Sequence, residues 1–110
     1  MSFGYCLLPK AEQDLDGIAD SIADHAGLEL GLRFLGAAFK QFSLLATQPD
    51  MGWPCKLNHR DFKNARVFRV EEPFAKYLIF YIPTKSQVEI LRILHGAQDL
   101  ETRFEFEGAF

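Results

Sequence analysis

At 110 residues, with 48% hydrophobic and 25% charged side chains, the chain has the size and composition of one globular domain. Twelve basic residues against fifteen acidic ones give a formal net charge of −3, which argues against a protein that works by gripping phosphate backbones. No apolar run approaches the roughly 20 residues that span a bilayer, the amino terminus lacks the basic-then-apolar order of a signal peptide, and Cys6 and Cys55 are too isolated for a disulfide framework or a zinc site.

In chain order, FGYCLL at 3–8 is a short apolar strand that stops at Pro9. Ala11, Leu15, Ile18 and Ile22 then recur at helical spacing, with Pro9 suited to the first turn. Ala26-Gly27 closes this helix, because glycine accepts a left-handed cap. The second helix carries Leu28, Leu32, Leu35, Phe39, Phe42 and Leu45 on one stripe and ends before Pro49. Residues 53–64 read as a mixed loop. ARVFRVEE, KYLIFYI and QVEILRILH follow as three strands, separated by turns at Pro73 and at Pro83–Ser86. KYLIFYI is apolar on both faces and reads as a central strand. Each helix has a stripe to bury, so both must lie on one face of the sheet. The expectation is a single α+β domain over 1–110. Its parts are a helical hairpin at about 9–48, a small antiparallel twisted sheet at about 65–96 in the order β-α-α-β-β-β, and a tail at 97–110.

The chemistry-bearing residues admit two readings. Glu12, Asp14, Asp16, Asp20 and Asp24 fall on the outer face of the first helix, where a solvated surface is the plain expectation. Strict alternation puts Arg66, Phe68 and Val70 on one sheet face and Val67 with Arg69 on the other. It groups Val88, Ile90, Arg92 and Leu94 opposite Glu89, Leu91, Ile93 and His95. A sheet covered by helices on one side leaves its second face open. There Arg66 or Arg69, with Arg92, Tyr77 and Tyr81, would make a cationic and aromatic surface. A ribonuclease that uses the substrate's own 2′-hydroxyl needs a base, an acid and a cation for the developing charge. His95 and Arg92 are the candidates for those roles. The structural alternative is that His95 holds the glycine turn, that Arg92 pairs with Glu89, Asp99 or a neighbouring acid, and that Asp99 is a local cap. His25 at the end of the first helix favours the negative end of the helix dipole. His59 and Cys55 sit in the loop without companions.

LLPKAEQDLDGIADSIAD, FKQFSLLATQPDMG, RVFRV, KYLIFYIP and EILRILHGAQDL, in that order and spacing, resemble the RelE/ParE superfamily of toxins from type II toxin–antitoxin modules, and within it the ParE branch. The RNA-cutting branch is basic, with lysines and arginines on the sheet and a tyrosine near the C-terminus. This chain is acidic. After Asp99 it has Arg103 and neither tyrosine nor lysine. Leu78 stands where the cutters commonly carry arginine, and Gln98 replaces the arginine of the HGxRD turn. The resemblance implies a plasmid-stabilisation type of toxin that binds and blocks DNA gyrase. It also implies a ParD-like antitoxin whose partly disordered segment folds onto an apolar groove beside the helical hairpin. It implies no cofactor, no metal, no membrane and no specific nucleic-acid partner. Arg66, Arg69, Tyr81, Arg92, Arg103, Phe104 and Phe106 are the candidate target- or partner-binding residues. The alternatives are a ribosome-dependent mRNA endonuclease of RelE type, working through Arg92 and His95, and a non-toxic homologue that only binds antitoxin.

Overall fold

The computed structural model describes residues 4–56 and 60–96. Strand β1 (Gly4–Leu7) leads through Leu8 into helix α1 (Pro9–Ala26), and Gly27 links α1 to α2 (Leu28–Thr47). Strands β2 (Trp53–Pro54), β3 (Arg66–Arg69), β4 (Tyr77–Pro83) and β5 (Gln87–His95) follow, with a single 3-10 turn at Arg60–Phe62 between β2 and β3. The five strands form one sheet in the order β1-β5-β4-β3-β2. Three of the pairings are antiparallel, but β1 runs parallel to β5. The sheet is therefore mixed, and it begins with the amino-terminal strand, well before residue 65. Among the described residues no helix is long and apolar enough to cross a membrane.

The helical hairpin forms where the periodicity places it. Gly27 adopts φ 104°, a backbone conformation open to glycine, and its N–H closes α1 on the Ala23 carbonyl. The two helices then pass so closely that a Cβ on Gly31 would sit 2.9 Å from the Ala19 carbonyl oxygen. Ala11, Leu15 and Ala19 of α1 and Phe34, Ala38, Phe42 and Leu45 of α2 are buried against Val70, Ile79, Tyr81, Val88, Ile90 and Ile93.

The core stripe of α2 departs from the expected one. Phe42 and Leu45 are buried, but Leu28 is 69% exposed, Leu32 57% and Phe39 42%. The buried line runs through Gly31, Phe34, Ala38, Gln41, Phe42 and Leu45. Helix α2 has two apolar lines. The inner one is built partly from small residues, because the hairpin is tight, so it is the weaker of the two in the sequence.

The second sheet face is not open either. Residues 60–65 form a flap over it, in which Phe62 and Ala65 are buried against Val67, Phe80 and Leu94. The Cys55 N–H bonds the Ala65 carbonyl at 2.9 Å and closes this flap.

Candidate functional site

Strand β5 contains an irregularity that rearranges its expected faces. Tyr81 pairs with Ile90 but Phe80 pairs with Arg92, so Leu91 is an extra residue in β5. Val88, Ile90 and Ile93 all face the helices, while Leu91 and Leu94 belong to the opposite cluster. The shift occurs where β5 loses its outer neighbour. Leu7 is the last β1 residue paired, opposite Ile90, and the Leu8 N–H still bonds the Ile90 carbonyl at 3.0 Å. Then Pro9 starts α1, and a helix side chain takes over the strand's edge.

That side chain is Asp14. Its carboxylate accepts the Ile93 N–H at 3.0 Å, the Arg92 Nε at 2.7 Å and the Arg92 Nη2 at 3.0 Å. The Arg92 and Asp14 side chains are only 16% and 15% exposed. One carboxylate thus caps a strand edge and neutralises a guanidinium in a forked geometry. Asp14 is therefore not part of the solvated acidic face, unlike the exposed Glu12, Asp16, Asp20 and Asp24. An acid of α1 is thus a partner of Arg92.

Tyr81 and Arg66 are also engaged inside the fold. They pair across β3 and β4 on the helix side of the sheet. The Tyr81 hydroxyl donates to the Pro49 carbonyl at 2.8 Å and accepts the Gly52 N–H at 2.9 Å. A Cβ at position 52 would lie 2.5 Å from that hydroxyl and 2.8 Å from the Val67 carbonyl oxygen, so the chain needs glycine there. Arg66 donates from Nη2 to the carbonyls of Asp50 and Gly52. Together they hold the turn that ends α2. Burial pushes the Tyr81 pKa above 10.0, opposed by the Gly52 N–H and by Arg66.

The expected cationic and aromatic face does not assemble. Arg66 and Tyr81 point to the helix side, Arg92 is bound to α1, and Arg69 is exposed on the opposite face. Tyr77 is half-buried against the helices, with its ring 5.3 Å from Phe34 and 5.4 Å edge-on from His95. His25 bonds the Ser21 carbonyl through Nδ1 at 2.8 Å, which suits the end of α1. His59, Gln98, Asp99, Arg103, Phe104 and Phe106 lie outside the described residues. Neither Cys6 nor Cys55 is part of a disulfide. Among the described residues no group of three His, Cys, Asp or Glu side chains is placed to hold a metal ion.

What the surface does offer is apolar. Leu28, Leu32, Leu35 and Phe39 recur at spacings of 4, 3 and 4 along one line of α2. Leu35 is half-buried and the other three are exposed. The line runs about 16 Å along the helix at 1.5 Å per residue. At its far end Phe39 borders a cleft of about 320 Å³, shared with Tyr5, Leu7 and Leu15 and rimmed by Glu12 and Asp16. Strand β1, which lines this cleft, is an outer strand of the sheet. A two-helix hairpin on a sheet needs one apolar line per helix; the second line on α2 is surplus to that need.

The fold, the tied-in polar groups and the surplus apolar line are those of a compact scaffold with an interaction face. The family model for the ParE toxin of type II toxin–antitoxin systems, parDE, matches residues 5–100. The chain belongs to the ParE toxin family. The fold also matches a chain solved as part of a chromosomal ParDE toxin–antitoxin system from P. aeruginosa, with a TM-score of 0.69 at 20% identity, over 86% of this chain and 96% of that one. No curated protein sequence matches at a significant level. In this ParE-family chain the HG of EILRILHGAQDL lies at the open end of the β4–β5 hairpin, where the Gly96 N–H bonds the Lys76 carbonyl at 2.8 Å.

Proposed function

We propose that this chain is a cytoplasmic toxin that inhibits DNA gyrase by protein–protein contact and is neutralised by a cognate ParD-like antitoxin. The observation that carries the proposal is the family match over residues 5–100, joined to the commitment of Arg92, Arg66 and Tyr81 to internal bonds. A ribonuclease of RelE type would need Arg92 available to a substrate phosphate, and here Asp14 holds it. The antitoxin's receptor is the line of Leu28, Leu32, Leu35 and Phe39 with the adjoining Tyr5 cleft. An amphipathic segment that folds on binding would bury these side chains along an i, i+4, i+7, i+11 seam. Arg103, Phe104 and Phe106 in the carboxy-terminal segment and exposed Arg69 remain the candidates for target contact.

Dual pulse-labelling tests the choice of target. After induction of the chain alone, thymidine incorporation is expected to fall before methionine incorporation. If methionine falls first, the target is translation and the gyrase reading is wrong. If neither falls, the chain is a non-toxic antitoxin binder.

A further inference from the structure

The net charge of −3 conceals a division. Residues 53–69 carry Lys56, Arg60, Lys63, Arg66 and Arg69 against Asp61, five positive charges and one negative, or +4. Helix α1 carries Glu12, Asp14, Asp16, Asp20 and Asp24 against Lys10, or −4. The sheet separates the two. The helices cover one face, and the flap after β2, anchored by Phe62 and Ala65, covers the other. Arg60 and Lys63 are exposed on that flap, Lys56 is exposed just after β2, and Arg69 is exposed on the same sheet face as Val67. None of these four makes an ion pair with a carboxylate of the described residues, whereas Lys40 reaches Glu71 and Arg92 reaches Asp14. Four exposed cations with no ion-pair partner among the described side chains make this face the positive side of an acidic protein.

We infer that this flap face binds the phosphate backbone of duplex DNA. Lysines and arginines supply phosphate contacts without reading sequence. A single-strand platform would need several open aromatic faces. The exposed aromatic here is Trp53, and Phe68 already stacks on it with ring centroids 5.4 Å apart and planes 22° off parallel. The choice of duplex DNA rests on the gyrase reading, since gyrase holds that substrate while a toxin is docked on it. The basic face would add an anchor beside the protein contact.

Trp53 is the sole tryptophan and borders the flap, so its emission reports binding directly. The full chain would be titrated with a labelled 20-base-pair duplex, a single-stranded DNA and a single-stranded RNA, following both Trp53 fluorescence and anisotropy of the label. The duplex is expected to bind most tightly. Its affinity should fall about 100-fold between 50 and 200 mM salt, a log–log slope of about −3.6 for four phosphate contacts. K56E/R60E/K63E should lose at least ten-fold in affinity with an unchanged thermal melt, while K10E on α1, across the sheet from this face, should bind as wild type does. No binding at 50 mM salt, equal binding by the triple variant, or preference for RNA would each overturn the inference. Gyrase supercoiling measured in parallel separates the two claims. Duplex binding without gyrase inhibition leaves this face standing and removes the gyrase reading. Gyrase inhibition without duplex binding does the reverse.

Discussion

Asp14 is the residue on which the polar part of the fold depends. It answers a strand N–H and a guanidinium at once, both largely shielded from water. Asp14→Asn keeps the size but removes the charge that the largely buried Arg92 guanidinium faces across the fork. The expected loss is about 3 kcal/mol in chemical denaturation, and a double variant with Arg92→Met should lose less than the two singles combined. A loss under about 1 kcal/mol would show that the pair is not holding the β5 edge. Toxicity tests of Arg92→Ala must therefore be read beside a melt, because the variant damages the fold. Tyr81→Phe strips a donor and an acceptor from the Pro49–Gly52 turn, at about 1–3 kcal/mol. It also carries a pH signature. The folded chain holds the phenol proton above the ordinary value of 10.0, so the unfolded chain loses it first. Stability from this group is full below about pH 10 and is lost as pH rises through the folded value. The gap between wild type and Tyr81→Phe should accordingly narrow above about pH 10. A gap that widens there would contradict the burial of the hydroxyl.

At the scale of elements, helix α2 makes the sharpest prediction. Leu32→Glu alters the outer line without touching Phe34, Ala38 or Leu45, so the melt should move by no more than about 0.5 kcal/mol, whereas Phe39→Glu also removes an edge-on ring contact with buried Phe42, 5.8 Å between centroids, and should cost more. Co-purification with the cognate antitoxin should be lost. Gly31→Ala should act the other way, costing about 1–3 kcal/mol by forcing a methyl against the Ala19 carbonyl while leaving the outer line intact. The hairpin, its Gly27 hinge and strands β3, β4 and β5 were legible from periodicity alone, because period 3.6 and period 2 are local properties of the sequence. The inner line of α2 was not. Gly31, Ala38 and Gln41 carry little apolar signal, and only the close approach of α1 makes their positions interior. Nor was the reversal of faces in β5 legible. An extra Leu91 slips every later side chain to the other side, and nothing in QVEILRILH marks it. The parallel β1–β5 pairing and the Asp14–Arg92 fork join residues 78 apart in sequence or further, which no local pattern encodes.

As a whole, the molecule presents three different surfaces: an acidic outer α1, an apolar line along α2, and a basic flap beyond the sheet. A protein that inhibits by contact needs faces of this kind more than it needs a pocket with tuned acids and bases. The carboxy-terminal segment belongs to the same argument. Arg103, Phe104 and Phe106 combine charge and aromatic area in a way suited to an interface, and removing 103–110 should abolish growth arrest while antitoxin binding persists. Arrest by the truncated chain would return attention to Arg69 and the flap. The most direct measurement of the central claim is ATP-dependent supercoiling by purified DNA gyrase with increasing amounts of this chain, alone and after mixing with its antitoxin. The account predicts dose-dependent inhibition with accumulation of cleaved DNA, reversed by the antitoxin. Undiminished supercoiling at a large excess of folded chain would contradict it.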